Sequence, residues 1–97
     1  MSYSLFIHAE AEQEYEFAFN WYKQERDGLE EEFFSAINNK LQQIATNPEL
    51  YSVKYSQLRE AVVKDFPFVI VYKVHKRQRK VSIISVHHTS RKPKKRP

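Results

Sequence analysis

The spacing of hydrophobic positions changes near the N-terminus and again after residue 57. Tyr3, Leu5 and Ile7 alternate with Ser2, Ser4 and Phe6, the period of a short strand. From Ala9 the spacing becomes helical, with Ala11, Tyr15, Ala18 and Tyr22 on one stripe. Glu10, Glu12, Glu14 and Glu16 crowd the first two turns, where the helix dipole favours acids. They read as a solvated face, and His8 is a weak N-cap candidate. Gly28, the only glycine, fits a left-handed cap closing the first helix. Leu29, Phe33, Ile37, Leu41 and Ile44 then form a second helical face that stops at Asn47-Pro48. So short a turn makes the two helices an antiparallel hairpin.

Residues 50–57 read as a connection carrying Tyr51 and Tyr55. Three strands follow, over 58–64, 66–74 and 81–88, with a tight break at Asp65 and a basic loop over 75–80. Phe68, Ile70, Tyr72 and Val74 line one face of the middle strand, and Val69 and Val71 make its other face apolar. The order is β-α-α-β-β-β. It predicts an α+β domain, with an N-terminal helical hairpin packed on one face of a small, mainly antiparallel sheet. One helical hairpin leaves the second face uncovered, so Val69 and Val71 are expected in an exposed apolar patch of the kind that marks an interaction site. The domain is expected over residues 1–90, with a basic tail over 91–97.

Charge sharpens this picture. Residues 1–53 carry a balance of −7 and residues 54–97 one of +11, giving the net +4. The positive potential of the second half favours nucleic acid or an acidic partner. The absence of cysteine excludes disulfides and thiolate metal sites. The four histidines have neither metal-ligand spacing nor an acidic cluster beside them, so no metal and no cofactor is expected. No apolar run approaches membrane-spanning length, and a soluble cytoplasmic protein with no membrane partner is the default expectation.

Several strings occur together in a telling order: Ala11 with Trp21-Tyr22, Gly28-Leu29 with Glu32-Phe33, and Ile44 through Asn47-Pro48 to Tyr51. Arg59 ahead of Phe66-Pro67-Phe68, Ile70 with Tyr72, and Val86, His88, Arg91 and Pro93 complete the series. In order and spacing the chain resembles the RelE/ParE superfamily of type II toxin–antitoxin toxins, nearest the ParE-like plasmid-stabilisation branch. The resemblance implies a toxin that inhibits DNA gyrase, has no defined catalytic residues and is neutralised by a cognate antitoxin. RNA-cleaving RelE-like toxins place an arginine at the segment aligned with Phe68-Val69-Ile70, and no tyrosine follows Tyr72 here. The alternatives are a ribosome-dependent mRNA endonuclease, and a toxin-like binding domain without toxicity.

Cleaving an RNA phosphodiester needs an acid, a base and cations for the phosphorane. His88, Arg59 and Arg91 are the candidates for those roles; the competing reading makes His88 a half-buried strand-end residue bonded to backbone or to Tyr72. His87 and His88 point to opposite strand faces and make no ready pair. For partner binding, an acidic or amphipathic antitoxin segment is expected across Val69 and Val71 and along a basic cluster of Arg59, Lys64, Arg91, Lys92 and the tail. Phe17 and Trp21, four apart and off the first helix's main stripe, read first as a wide apolar face packed on the second helix and otherwise as partner contacts. The uncovered sheet face also leaves room for a higher toxin–antitoxin oligomer.

Overall fold

The computed structural model describes residues 2–90. Strand β1 (Ser4–Ile7) leads into helices α1 (Ala9–Glu25) and α2 (Leu29–Thr46). Strands β2 (Val53–Tyr55), β3 (Leu58–Val62), β4 (Phe68–His75) and β5 (Lys80–His88) follow. The five strands form one sheet in the order β1-β5-β4-β3-β2, with β1 parallel to β5 and every other pair antiparallel. Two helices beside a mostly antiparallel sheet are the α+β arrangement expected.

Strand β2 went unforeseen. Ser56 and Gln57 both take positive φ, 45° and 64°, making a two-residue hairpin turn between β2 and β3. Neither is the Asn or Gly that usually announces such a turn. Gly28 is left-handed as expected, at φ 90°, but it stands at the N-cap of α2, and Arg26 closes α1.

The core lies between the helical hairpin and one sheet face. Phe33 of α2 is its centre, fully buried, with the rings of Tyr15, Tyr22, Phe66 and Phe68 within 5.0–5.5 Å of it. Ala11 and Ala18 let α1 approach β5 closely, over the buried Val86 and Ile83. Tyr72, also fully buried, sends its hydroxyl to the Pro48 carbonyl at 2.7 Å, satisfying a backbone acceptor just past the end of α2. The Tyr3 amide bonds the Ala45 carbonyl at 2.8 Å and ties β1 to the same helix end.

The second sheet face departs from expectation. Val71 is only 3% exposed without any partner chain, because it sits in a central strand between its register partners Glu60 and Ser85. Val69 is half-buried, and its neighbour on β3, Val62, is 63% exposed.

Candidate functional site

Strand β1 is four residues long and β5 is nine. Pairing between them ends at Ile7 and Ile83, so the β5 edge beyond that point has no strand beside it. The chain turns into α1 at Ala9, and this helix lies along the gap. Between them is a groove of about 550 Å³, lined on the helix side by Glu10, Glu14, Phe17 and Trp21 and on the sheet side by Phe68, Val86, His87 and His88.

Helix geometry sorts α1 into stripes. Ala11 and Ala18 face the sheet, while Tyr15 stacks on Phe33 of α2 and Tyr22 meets the same ring at a tilt. Glu10, Glu14, Phe17 and Trp21 follow one another at three- and four-residue steps on the adjoining side, and they form the groove wall. Phe17 and Trp21 therefore do not pack on α2, contrary to the first reading. They are 65% and 50% exposed, two large apolar side chains left at a groove rim.

Nor is Glu14 a solvated acid. Its Oε1 accepts the Val86 amide at 2.8 Å and the Ser85 hydroxyl at 2.9 Å. The carboxylate takes the place a further strand would occupy beside Val86 and pins the helix to the sheet. Position 14 is three from Ala11 and four from Ala18, so its place on the buried stripe was the available signal.

The hydrogen-bond network gives Nδ1 opposite roles in the two histidines. Ser85 gives its proton to Glu14, so its oxygen, 3.0 Å from His87 Nδ1, accepts from that nitrogen. His87 thus carries a proton on Nδ1. At His88 the Ser90 amide donates to Nδ1 at 3.1 Å and the Ser90 hydroxyl lies 2.7 Å away, so the neutral ring carries its proton on Nε2. Their alternation about the strand holds, yet both residues line the groove, because it straddles an open strand edge. The His88 ring also sits edge-on to Phe68 at 5.4 Å. It is the half-buried strand-end residue anticipated, bonded to Ser90 backbone and not to Tyr72.

Of the expected basic cluster, only Arg59 and Lys64 fall among the described residues. Arg59 pairs in register with Tyr72, on the helix-side face, and its guanidinium donates to the Tyr51 carbonyl at 2.6 Å. His88 pairs with Phe68 on the far side of β4, and strand geometry sets the two positions roughly 16 Å apart. Lys64 is exposed in the β3–β4 turn. Arg91 and Lys92 lie outside the described residues. Burial holds the Tyr72 phenol up at about 12 despite the opposing Arg59 charge, and burial also raises Tyr22 at the groove floor. Among the described residues no group of three or more His, Cys, Asp or Glu is placed to hold a metal ion, and no helix is long and apolar enough to cross a membrane.

Comparison with known proteins agrees with this architecture. The family model described as ParE toxin of type II toxin–antitoxin system, parDE, matches residues 5–93. Among solved structures, a chain of the chromosomal ParDE system from P. aeruginosa is similar at 13% identity and TM-score 0.63, over 90% of this chain and 96% of that one. A chain of the intact E. coli RelBE toxin–antitoxin complex is similar at 18% identity and TM-score 0.63, over 93% and 100%. The isolated E. coli RelE toxin is similar at 17% identity and TM-score 0.63, over 94% and 88%. At these identities the structural likeness is one of fold. No curated protein sequence matches the chain significantly.

Proposed function

The chain belongs to the ParE toxin family of type II toxin–antitoxin systems, and from that premise we propose that it acts in the cytoplasm by binding, poisoning DNA gyrase until a cognate antitoxin neutralises it. The observation carrying this reading is the makeup of the groove. Two exposed aromatics stand at its rim, Glu10 and Glu14 lie in its wall, and among the described residues no Lys or Arg lines it. A site for a polyanion that must stabilise a phosphorane needs cations where this one has carboxylates. Exposed Phe and Trp beside a concave surface suit the anchoring of a protein segment. Phe17 and Trp21 are the proposed anchors, with Val69 and Lys64 as contacts outside the groove.

One observation favours a second reading, a ribosome-dependent mRNA endonuclease. His87 donates through Nδ1 and His88 accepts through it, which in neutral rings leaves one Nε2 as acceptor and the other Nε2–H as donor, the two states an acid–base pair requires. Arg91, directly following Ser90, would then supply the phosphate contact.

Induced expression separates the two. Under the first reading, gyrase-dependent DNA cleavage complexes accumulate and message lengths stay intact, and Trp21→Ala together with Phe17→Ala abolishes growth arrest. Codon-positioned mRNA cutting that disappears in His88→Ala or Arg91→Ala would overturn it in favour of the nuclease. A chain with no effect on growth, but still captured by the antitoxin, would be a binding domain without toxicity.

A further inference from the structure

The hairpin end of β4 and β5, at the far end of the sheet from the groove, carries chemistry that the reading above does not use. No acidic residue follows Asp65, and the five Lys and Arg of residues 66–90 all fall between Lys73 and Lys80. Lys73 pairs with Ser82 and His75 with Lys80, while β1 brings Ser4 beside Lys80 and Phe6 beside Ser82. Residues paired across neighbouring strands project to the same face. Lys73, His75, Lys80 and Phe6 therefore share the sheet face turned away from the helices, opposite the buried Val81 and Ile83.

Phe6 is the decisive residue. Tyr72, the aromatic that sequence pattern placed on the middle strand, is fully in the core, but Phe6 is 53% exposed on the edge strand. Lys80 Nζ lies 5.6 Å from its ring centre, and the His8 ring stands edge-on to it at 5.3 Å. The His75 ring and the Ser82 hydroxyl are 3.0 Å apart on the same face. At the turn, Lys76 is paired with Glu49 at 2.9 Å and Arg79 lies over Tyr3, which anchors the hairpin while Arg77 stays exposed. A solvated charge run needs no exposed ring, and neither does a surface for an acidic peptide. An aromatic flanked by cations on an open sheet face is the equipment for stacking an unpaired base and holding the phosphates beside it.

We infer that this face binds single-stranded nucleic acid, a base stacking on Phe6 while Lys73 and Lys80 contact the backbone. Duplex is disfavoured because its bases are already stacked on one another. The site is separate from the groove and does not depend on which target the toxin poisons.

Fluorescence anisotropy of the full-length chain with labelled dT12, rU12 and a 12-base-pair duplex, at several salt concentrations, tests this. The single strands bind more tightly than the duplex. Phe6→Ala weakens single-strand binding by about 5- to 150-fold, the range for losing one stacked base. Phe6→Leu, which keeps apolar bulk on the edge strand, shows the same loss should the alanine variant fail to fold. The Lys73→Gln/Lys80→Gln pair lowers the slope of log K against log salt by about 1.4, at about 0.7 per phosphate contact, whereas Lys23→Gln on α1 leaves it unchanged. Replacing Lys92, Lys94, Lys95 and Arg96 by Gln lowers affinity but preserves the Phe6 effect. The inference is overturned by wild-type affinity in both Phe6 variants, by tighter binding of duplex, or by polyglutamate displacing the oligonucleotide as effectively as unlabelled dT12.

Discussion

Replacing Glu14 with alanine should cost this protein far more than replacing its helical neighbours. One carboxylate oxygen accepts both the Val86 amide and the Ser85 hydroxyl, at 2.8 and 2.9 Å. Hydrogen bonds to a charged acceptor contribute about 1.5–3 kcal/mol each. The site is half-buried at a groove edge, so water recovers part of the loss, and alanine's better helix propensity returns a few tenths. The expected net cost is about 2–3 kcal/mol. At about 1 kcal/mol per molar for a chain of this size, the urea midpoint falls by about 2–3 M. Glu14→Gln keeps an oxygen acceptor at neutral strength and should lose about 1 kcal/mol. Glu16→Ala, exposed on the same helix, serves as reference and should change stability by less than about 0.5 kcal/mol.

Native-state hydrogen exchange locates the effect. The Val86 amide should lose protection in Glu14→Ala beyond what the global change explains, since its acceptor is gone and β1 ends before reaching it. If Glu14→Ala matches Glu16→Ala in stability, or leaves Val86 exchange unaltered, the carboxylate does not hold the helix to the sheet and the groove's construction must be rethought.

Three other measurements follow from the same geometry. Phe33→Ala removes the ring at the centre of the aromatic core and should cost about 3–5 kcal/mol in urea unfolding. Gly28→Ala meets nothing within 4 Å, so any loss there, expected near 1 kcal/mol, comes from its φ of +90° alone; Gly28→Asn, more tolerant of that conformation, should lose less. Tyr72 is held at about 12, chiefly by burial, against 10 for an ordinary tyrosine. The folded state thus binds this proton more tightly than the unfolded chain. Its contribution of about 3 kcal/mol is intact below pH 10 and lost as pH rises towards 12. Alkaline unfolding should steepen in that window, and Tyr72→Phe should flatten it while costing about 1–2 kcal/mol at neutral pH by stranding the Pro48 carbonyl.

Helices and long strands were legible because their apolar patterns are long: Leu29 to Ile44 marks one face for four turns, and Phe68 to Val74 is a β-branched and aromatic run broken only by Lys73. β2 was not, since its turn takes positive φ at Ser56 and Gln57 with no glycine to show it. Val71 misled for a different reason. Alternation shows which face a residue lies on, but its cover came from Glu60 and Ser85, which only the register brings alongside. Glu14 was hidden by composition. Four glutamates at alternate positions look like a solvated run, although one of them sits on the alanine stripe that meets the sheet. Charge alone placed Arg59 on a basic rim, and only the β-pairing shows its guanidinium donating to the Tyr51 carbonyl.

A mismatch in strand length is what creates the groove. Were β1 as long as β5, a strand would lie beside Val86 and His88, and α1 could not reach that edge. Because pairing stops at Ile83, the helix enters the gap and Glu14 supplies the acceptor a strand would have provided. The same ending leaves Phe17 and Trp21 with no element to pack against, so their exposure follows from topology rather than from a poorly filled core. The β5 register shift, which sets Val71 against Ser85 and Tyr72 against Ile83, falls at the end of the β1 pairing. There the Ser85 hydroxyl reaches both Glu14 and His87. Extending β1 by inserting residues after Ile7 should therefore bury the open edge, release Glu14 and remove groove-dependent binding together, while the opposite face bearing Phe6, Lys73 and Lys80 keeps its registers and its own ligand. Loss of one activity without the other would show that the two ends of this sheet are independent sites on one scaffold.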